Sequence, residues 1–268
     1  WNEVRIRGVL GQSNSTGAFF VYYTLIFLGF ILVNWREKRF WWLIIPFLLC
    51  GRAMTLANSR GGLVAFTFAL LATLWFHSKR LFLIGVAIVV VGGVFPEYLP
   101  ETISGRLFST YRQPPQTAYE TPGRAVPAPA APSWIAPDDS GGEFRLDQGA
   151  FNQLDTSAQG RLIIWSAGLM MVRDRPWLGH GYRSFPYLVG RYNPLAGNRD
   201  PHNTYLGIAA EMGCIALFFF LLTLFLILRS CLNVYHHAPD SYMQSVGLAG
   251  VGMIMGVFSA NFFGSRMD

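Results

Sequence analysis

Met212–Leu228 contains no charged residue and, apart from Gly213 and Thr223, only apolar side chains. A bilayer span takes roughly 17–25 mostly apolar residues, and this run is that long. Backbone in lipid must satisfy its N–H and C=O groups within its own segment, so the run must be a helix. Five other stretches share its character: Gly17–Asn34, Phe40–Leu56 with Pro46 and Arg52 inside it, Leu63–Phe76, the short Leu81–Phe95, and Val246–Phe263. The fold class that follows is all-α, a polytopic helical membrane protein with about six spans. Apolar residues make up 52% of the chain and charged residues 13%. That balance suits several spans plus one sizeable polar segment.

The spans divide the chain into three expected parts. Residues 1–95 form a first bundle of four spans. Residues 96–211 form a large loop with short surface helices, and residues 212–268 hold the last two spans. Inside the loop, Pro114–Pro137 is rich in Pro and Ala and reads as an extended excursion. By contrast, Gly160–Arg173 carries Leu162, Ile163, Trp165, Leu169, Met170 and Val172 in a helical pattern that Pro176 and Gly179 end. Gly179-His180-Gly181 reads as a turn, because glycine accepts positive φ.

Charge gives the orientation. Arg36, Lys38 and Arg39 follow the first span, Lys79 and Arg80 the third, and Arg229, His236 and His237 the fifth. Alternating spans put all three groups on one side, which the positive-inside rule makes cytoplasmic. The long loop, in which arginines and acids nearly balance, is then outside. The net charge of +6 is not a nucleic-acid footprint, because the arginines are scattered among hydrophobic runs. The three cysteines, Cys50, Cys214 and Cys231, lie in or beside apolar runs, without the spacing of a disulfide framework or a zinc site.

Few residues could carry chemistry. Arg60 stands between two hydrophobic runs and precedes Gly61 and Gly62. An arginine there either binds something or snorkels from a helix end. Arg161 opens the surface helix; a guanidinium beside a helix N-terminus can hold phosphate oxygens, or it can simply be solvated. Arg52, inside the second span, either pairs with Glu211 or snorkels. Arg5 and Arg7 precede the first span on the outer side. His202 follows Pro201, a good first-turn residue, so it is expected in the first turn of a helix. There it exchanges a proton near neutral pH or acts as a cap. His180, His236 and His237 are weaker candidates, and no third ligand stands near them for a metal.

Taken together, several segments resemble the O-antigen ligase and polymerase superfamily of bacterial envelope glycan enzymes, in its C-terminal half. They are Arg5-Ile6-Arg7-Gly8 with Gly11, Asn14 and Gly17; Asn58-Ser59-Arg60-Gly61; Gly160-Arg161 with Trp165; Pro176–Gly181 with Phe185; and His202–Leu206 with Glu211 and Gly213. The resemblance covers almost the whole chain. Family members usually have about twice as many spans, so an N-terminal half looks missing, and the fragment alone is expected to be inactive.

The resemblance implies a glycosyltransferase of C-type architecture in the bacterial inner membrane, multi-pass, with its active site facing the periplasm. The donor would be a glycan on undecaprenyl pyrophosphate. The acceptor would be lipid A-core or another glycan hydroxyl, in membrane lipid and without nucleic acid. The reaction would be inverting and metal-independent, with no cofactor. Carried over by position, Arg60, Arg161 and His202 would be the catalytic group. Arg60, Arg161 and the weaker Arg7 would bind pyrophosphate, and His202 would deprotonate or orient the attacking hydroxyl. His180 and the Pro/Ala-rich insert depart from the family pattern. O-antigen ligation is the leading reading. A repeat-unit polymerase, a protein O-oligosaccharyltransferase, a transporter of lipid-linked sugars and a structural or sensor protein are the alternatives. A transporter would not need His202 at the outer mouth.

Overall fold

The computed structural model describes residues 13–57, 59–95 and 156–264. Among these every regular element is helical: α1 (Ser13–Asn34), α2 (Ile44–Leu56), α3 (Arg60–His77), α4 (Lys79–Val94), α5 (Thr156–Asp174), α6 (Phe185–Tyr192), α7 (Thr204–His237) and α8 (Ser241–Ala260), with 3-10 turns over Lys38–Leu43 and Pro194–Ala196. Five helical segments are long and apolar enough to cross a membrane: Asn14–Asn34, Lys38–Leu56, Arg60–His77, Thr204–His237 and Ser241–Ala260. The protein is therefore a polytopic helical membrane protein. The expected short fourth span is α4, a helix of 16 residues that buries none of them. At about 1.5 Å per residue it is several ångströms shorter than the roughly 30 Å hydrocarbon core.

Pro46 does not break the second span. It is the third residue of α2, in the first turn, where a missing N–H removes no helical hydrogen bond. α8 begins at an Asp240 cap, whose side chain accepts from Met243 N–H at 2.8 Å.

The chain divides into two compact units. The described residues of the first are 13–57, 59–95, 202–205 and 215–264, and those of the second are 156–201 and 206–214.

In the first unit α1 packs on α2, α3 and α8; α3 also packs on α8 and α4. Small residues let these backbones approach closely, as membrane helices need when lipid is as apolar as the side chains. At Gly29 an added Cβ would lie 2.5 Å from the Ala249 nitrogen. Val21, Leu25, Met54 and Ala69 fill the centre. Polar bonds fix the helix pairs. Asn34 Nδ2 donates to Ser245 Oγ at 2.5 Å, and Ser259 Oγ donates to the Ala65 carbonyl at 2.9 Å. His77 Nδ1 and the Tyr235 hydroxyl lie 2.9 Å apart. The first joins the C-terminal end of α1 to the start of α8, the third joins the C-terminal ends of α3 and α7, and Gly247 of α8 packs against the Tyr235 backbone, so the four ends meet. The three basic segments that follow α1, α3 and α7 therefore share one end of the unit.

The second unit has its own core: Ile163, Ile164, Ala167 and Met171 from one face of α5, Phe185 and Val189 from α6, with Ala196 and Ala210. The spacing of the α5 residues is that of one helical stripe.

Candidate functional site

The other end of the membrane unit carries two of the expected residues. Ser59 caps α3. Its Oγ accepts from Gly62 N–H at 3.1 Å and donates to Asn14 Oδ1 at 2.9 Å, which ties the start of α1 to the start of α3. Arg60 is the first residue of α3 and is partly exposed. Behind it the α-carbon of Gly61 faces Phe263, so closely that an added Cβ would stand 2.5 Å from the Phe263 Cβ. Phe263 belongs to the turn that follows α8. The same turn holds the beginning of α7: Thr204 N–H donates to the Asn261 carbonyl at 2.9 Å, and Thr204 Oγ1 to Asn261 Oδ1 at 3.0 Å. Tyr205 adds a 2.6 Å hydrogen bond from its hydroxyl to the Phe258 carbonyl. His202 stands two residues before Thr204. One short turn, 261–263, thus seats both the helix that presents Arg60 and the segment that presents His202, at the end opposite the basic segments.

His202 is not in the first turn of a helix, as its sequence context suggests. α7 starts at Thr204, and His202 has φ of 49°. A left-handed residue cannot propagate a right-handed helix, so Pro201 and His202 form the turn that leads into it. For a residue with a Cβ this conformation costs roughly 1–2 kcal/mol. Such strain tends to be kept where side-chain direction matters.

Arg161 belongs to the second unit. It is the sixth residue of α5 rather than its opening residue, so the unpaired N–H groups of the first turn lie upstream of it. The neighbouring Gly160 leaves room for Arg199, whose Nη1 would be 3.5 Å from a Cβ at that position. Trp165 Nε1 donates to the Pro201 carbonyl at 2.8 Å, which explains the aromatic residue that follows Arg161 by four. Arg7, Arg5 and the Pro/Ala-rich insert lie outside the described residues.

The Pro176–Gly181 segment proves to be a clip on a broken helix. Gly213 has φ of 82° and interrupts α7. The break releases backbone groups that the clip takes up: His180 N–H donates to Ala210 C=O at 3.0 Å, Gly181 N–H to Glu211 C=O at 2.7 Å, and Cys214 N–H to Pro176 C=O at 2.7 Å. The predicted turn at Gly179-His180-Gly181 is present, with φ of 65° and 107° at the two glycines. Glu211 is buried, and its carboxylate accepts from Arg183 N–H at 3.1 Å and Phe185 N–H at 3.3 Å. Arg52, the partner considered for it, is exposed on α2.

The sequence profile of the O-antigen ligase family matches residues 45–221, well over half of the chain. The chain belongs to the O-antigen ligase family. The matched range contains Arg60, Arg161 and His202 and stops short of Arg7. No curated protein matches the chain. As an O-antigen ligase family member it is a multi-pass membrane protein of glycan ligase or polymerase type, acting in general on a lipid-linked glycan and a glycan acceptor.

In this member of the O-antigen ligase family the motif residues separate by role. Pro176, Gly179, Gly181, Glu211 and Gly213 build the clip, whereas Arg60, Arg161 and His202 are titratable or charged groups outside it. Arg199 reads in the sequence as one more loop arginine; the structure lays its guanidinium against Gly160. Glu211→Ala is expected to leave the buried Phe185 N–H without its carboxylate acceptor. The cost should be about 1–3 kcal/mol, read as a lower thermal unfolding temperature, with Glu211→Gln in between. An unchanged melting profile for the alanine variant would show that the carboxylate does not hold α6.

Proposed function

We propose that this protein transfers a glycan from undecaprenyl pyrophosphate to an acceptor hydroxyl at the outer face of the bacterial inner membrane, and that the reaction is ligation of O-antigen to lipid A-core. The acceptor oxygen attacks the anomeric carbon from the face opposite the pyrophosphate. The C–O bond to phosphate breaks, and pyrophosphate leaves with the electron pair. The acceptor proton passes to an imidazole nitrogen of His202. Inversion at the anomeric carbon follows from the single displacement.

Negative charge grows on the leaving pyrophosphate, and fixed cations aimed at it lower the barrier. Arg60 and Arg161 supply them, since guanidinium stays charged at any working pH and matches phosphate oxygens bidentately. The observation that carries this reading is the shared 261–263 turn. It supports a base and a cation at one end of the membrane unit, with the basic segments at the other, as a reaction at the outer face needs.

The test uses the chromosomal gene. Delete it, restore it as wild type or as His202→Ala, and separate the envelope glycans on a gel. A ligase deletion removes the long ladder from lipid A-core while polymer remains on the lipid carrier, and His202→Ala reproduces that loss. Core bearing a single repeat would instead identify a polymerase. An unchanged ladder in the deletion would overturn the proposal.

A further inference from the structure

The second unit holds a polar cleft that the proposed reaction does not use. Asp174, Arg175, His180, Leu188, Arg191 and Tyr192 line a cavity of about 530 Å³. Its floor is a hydrogen-bonded network. The Tyr192 hydroxyl donates to Asp174 Oδ2 at 2.6 Å, and the His180 Nε2–H to the Met171 carbonyl at 3.0 Å. His180 Nε2 also lies 3.7 Å from Asp174 Oδ2 and 3.4 Å from the Tyr192 hydroxyl. The His180 side chain is 6% exposed, while that of Asp174 is 55% exposed. The His180 and Tyr192 rings meet edge to face, with centroids 5.8 Å apart. Arg175 and Arg191 are exposed at the rim. Burial, and then the bond to Asp174, raise the Tyr192 phenol above its ordinary pKa, so it stays protonated and keeps its orientation.

This lining selects its ligand by charge and shape. Leu188 is its one aliphatic residue, too little for a lipid tail. Asp174 and His180 alone could ligate a metal, and the His180 Nε2–H is already turned to a carbonyl. Two guanidinium groups attract a carboxylate or a phosphate. The exposed Asp174 carboxylate repels a bare anion and accepts from hydroxyl groups. Leu188 and the Tyr192 ring offer non-polar surface to the C–H face of a pyranose. We propose that this cleft binds an acidic sugar residue of a glycan, its anion between Arg175 and Arg191 and its hydroxyls on Asp174. The proposal rests on the reading of the protein as a glycan transferase, but it concerns recognition rather than transfer. His180 was the histidine that departed from the family pattern, and its network is the floor of this site.

Binding is measured directly, by saturation-transfer NMR on the full-length protein in detergent micelles. The probes are methyl glucuronide, glucose 6-phosphate and methyl glucoside, with inorganic phosphate as competitor. An acidic sugar should bind in preference to the neutral glucoside, and whichever of the two acidic probes binds better identifies the anion. Inorganic phosphate at equal concentration should not displace it. Arg175→Gln and Arg191→Gln should each weaken binding about tenfold, as expected for loss of a charged hydrogen bond. Both side chains are exposed, so the fold does not depend on them. His202→Ala should bind like wild type, so failure of the transferase reading and failure of the cleft give different results. Equal binding of glucoside, displacement by phosphate, or full affinity in both arginine variants would each overturn the proposal.

Discussion

Gly213→Ala is expected to prevent the protein from accumulating in folded form. Two independent obstacles act at this position. The backbone has φ of 82°, a conformation that costs a residue with a Cβ roughly 1–2 kcal/mol. The new methyl would also stand 2.0 Å from the Trp177 carbonyl oxygen and 2.3 Å from its carbon. Both atoms are backbone, so no rotamer change relieves the clash. The clip must move away, and with it go the bonds from His180, Gly181 and Cys214. The expected loss exceeds about 4 kcal/mol, a large part of the roughly 5–15 kcal/mol that keeps a typical domain folded. Gly179→Ala should behave similarly, because its Cβ would lie 2.4 Å from the Glu211 carbonyl. Gly93→Ala is the control: nothing lies within 4 Å of that position. Thermal unfolding in detergent and the amount of protein in the membrane report the difference. Wild-type values for Gly213→Ala would mean that the clip is not held as described.

The second large effect is on transfer. His202→Ala should lower the rate of glycan transfer by about 10²–10⁴, the usual contribution of a general base. Arg60→Ala should cost a comparable factor, near 10²–10³, as expected when one stabilising donor is lost. The left-handed backbone at His202 adds a signature that a merely structural histidine would not give. His202→Gly relieves the backbone strain, so its melting temperature should stay level or rise while transfer is lost. Stability and activity moving apart would mark strain kept for function. A His202→Gly protein that transfers glycan at the wild-type rate would remove His202 from the mechanism.

The spans were legible in the sequence because burial in lipid leaves a simple record: long apolar runs ended by charges. The break in α7 was not. Met212-Gly213-Cys214 sits in an unbroken apolar run, and only the partner segment, more than thirty residues upstream, makes the glycine necessary. Gly179 and Gly181 announced a turn, but not what it would dock against. Glu211 looked like the counter-ion of a membrane arginine; a sequence does not display the backbone N–H groups that it serves. His202 looked helical because Pro201 favours a first turn, whereas the Asn261 contacts that start α7 at Thr204 come from the far end of the chain.

The α1–α8 seam bears on how the protein is made. Its two helices are the first and the last of those described, and the bond from Asn34 to Ser245 spans 211 positions. A ribosome releases α1 into the membrane long before α8 exists. During that interval the face around Gly29 has no helix to receive it, and the Asn34 amide lacks the serine it later donates to. Closure of this seam therefore waits until α8 has been made, and a chain stalled before α8 exposes to lipid a groove and an amide that a quality-control protease can recognise.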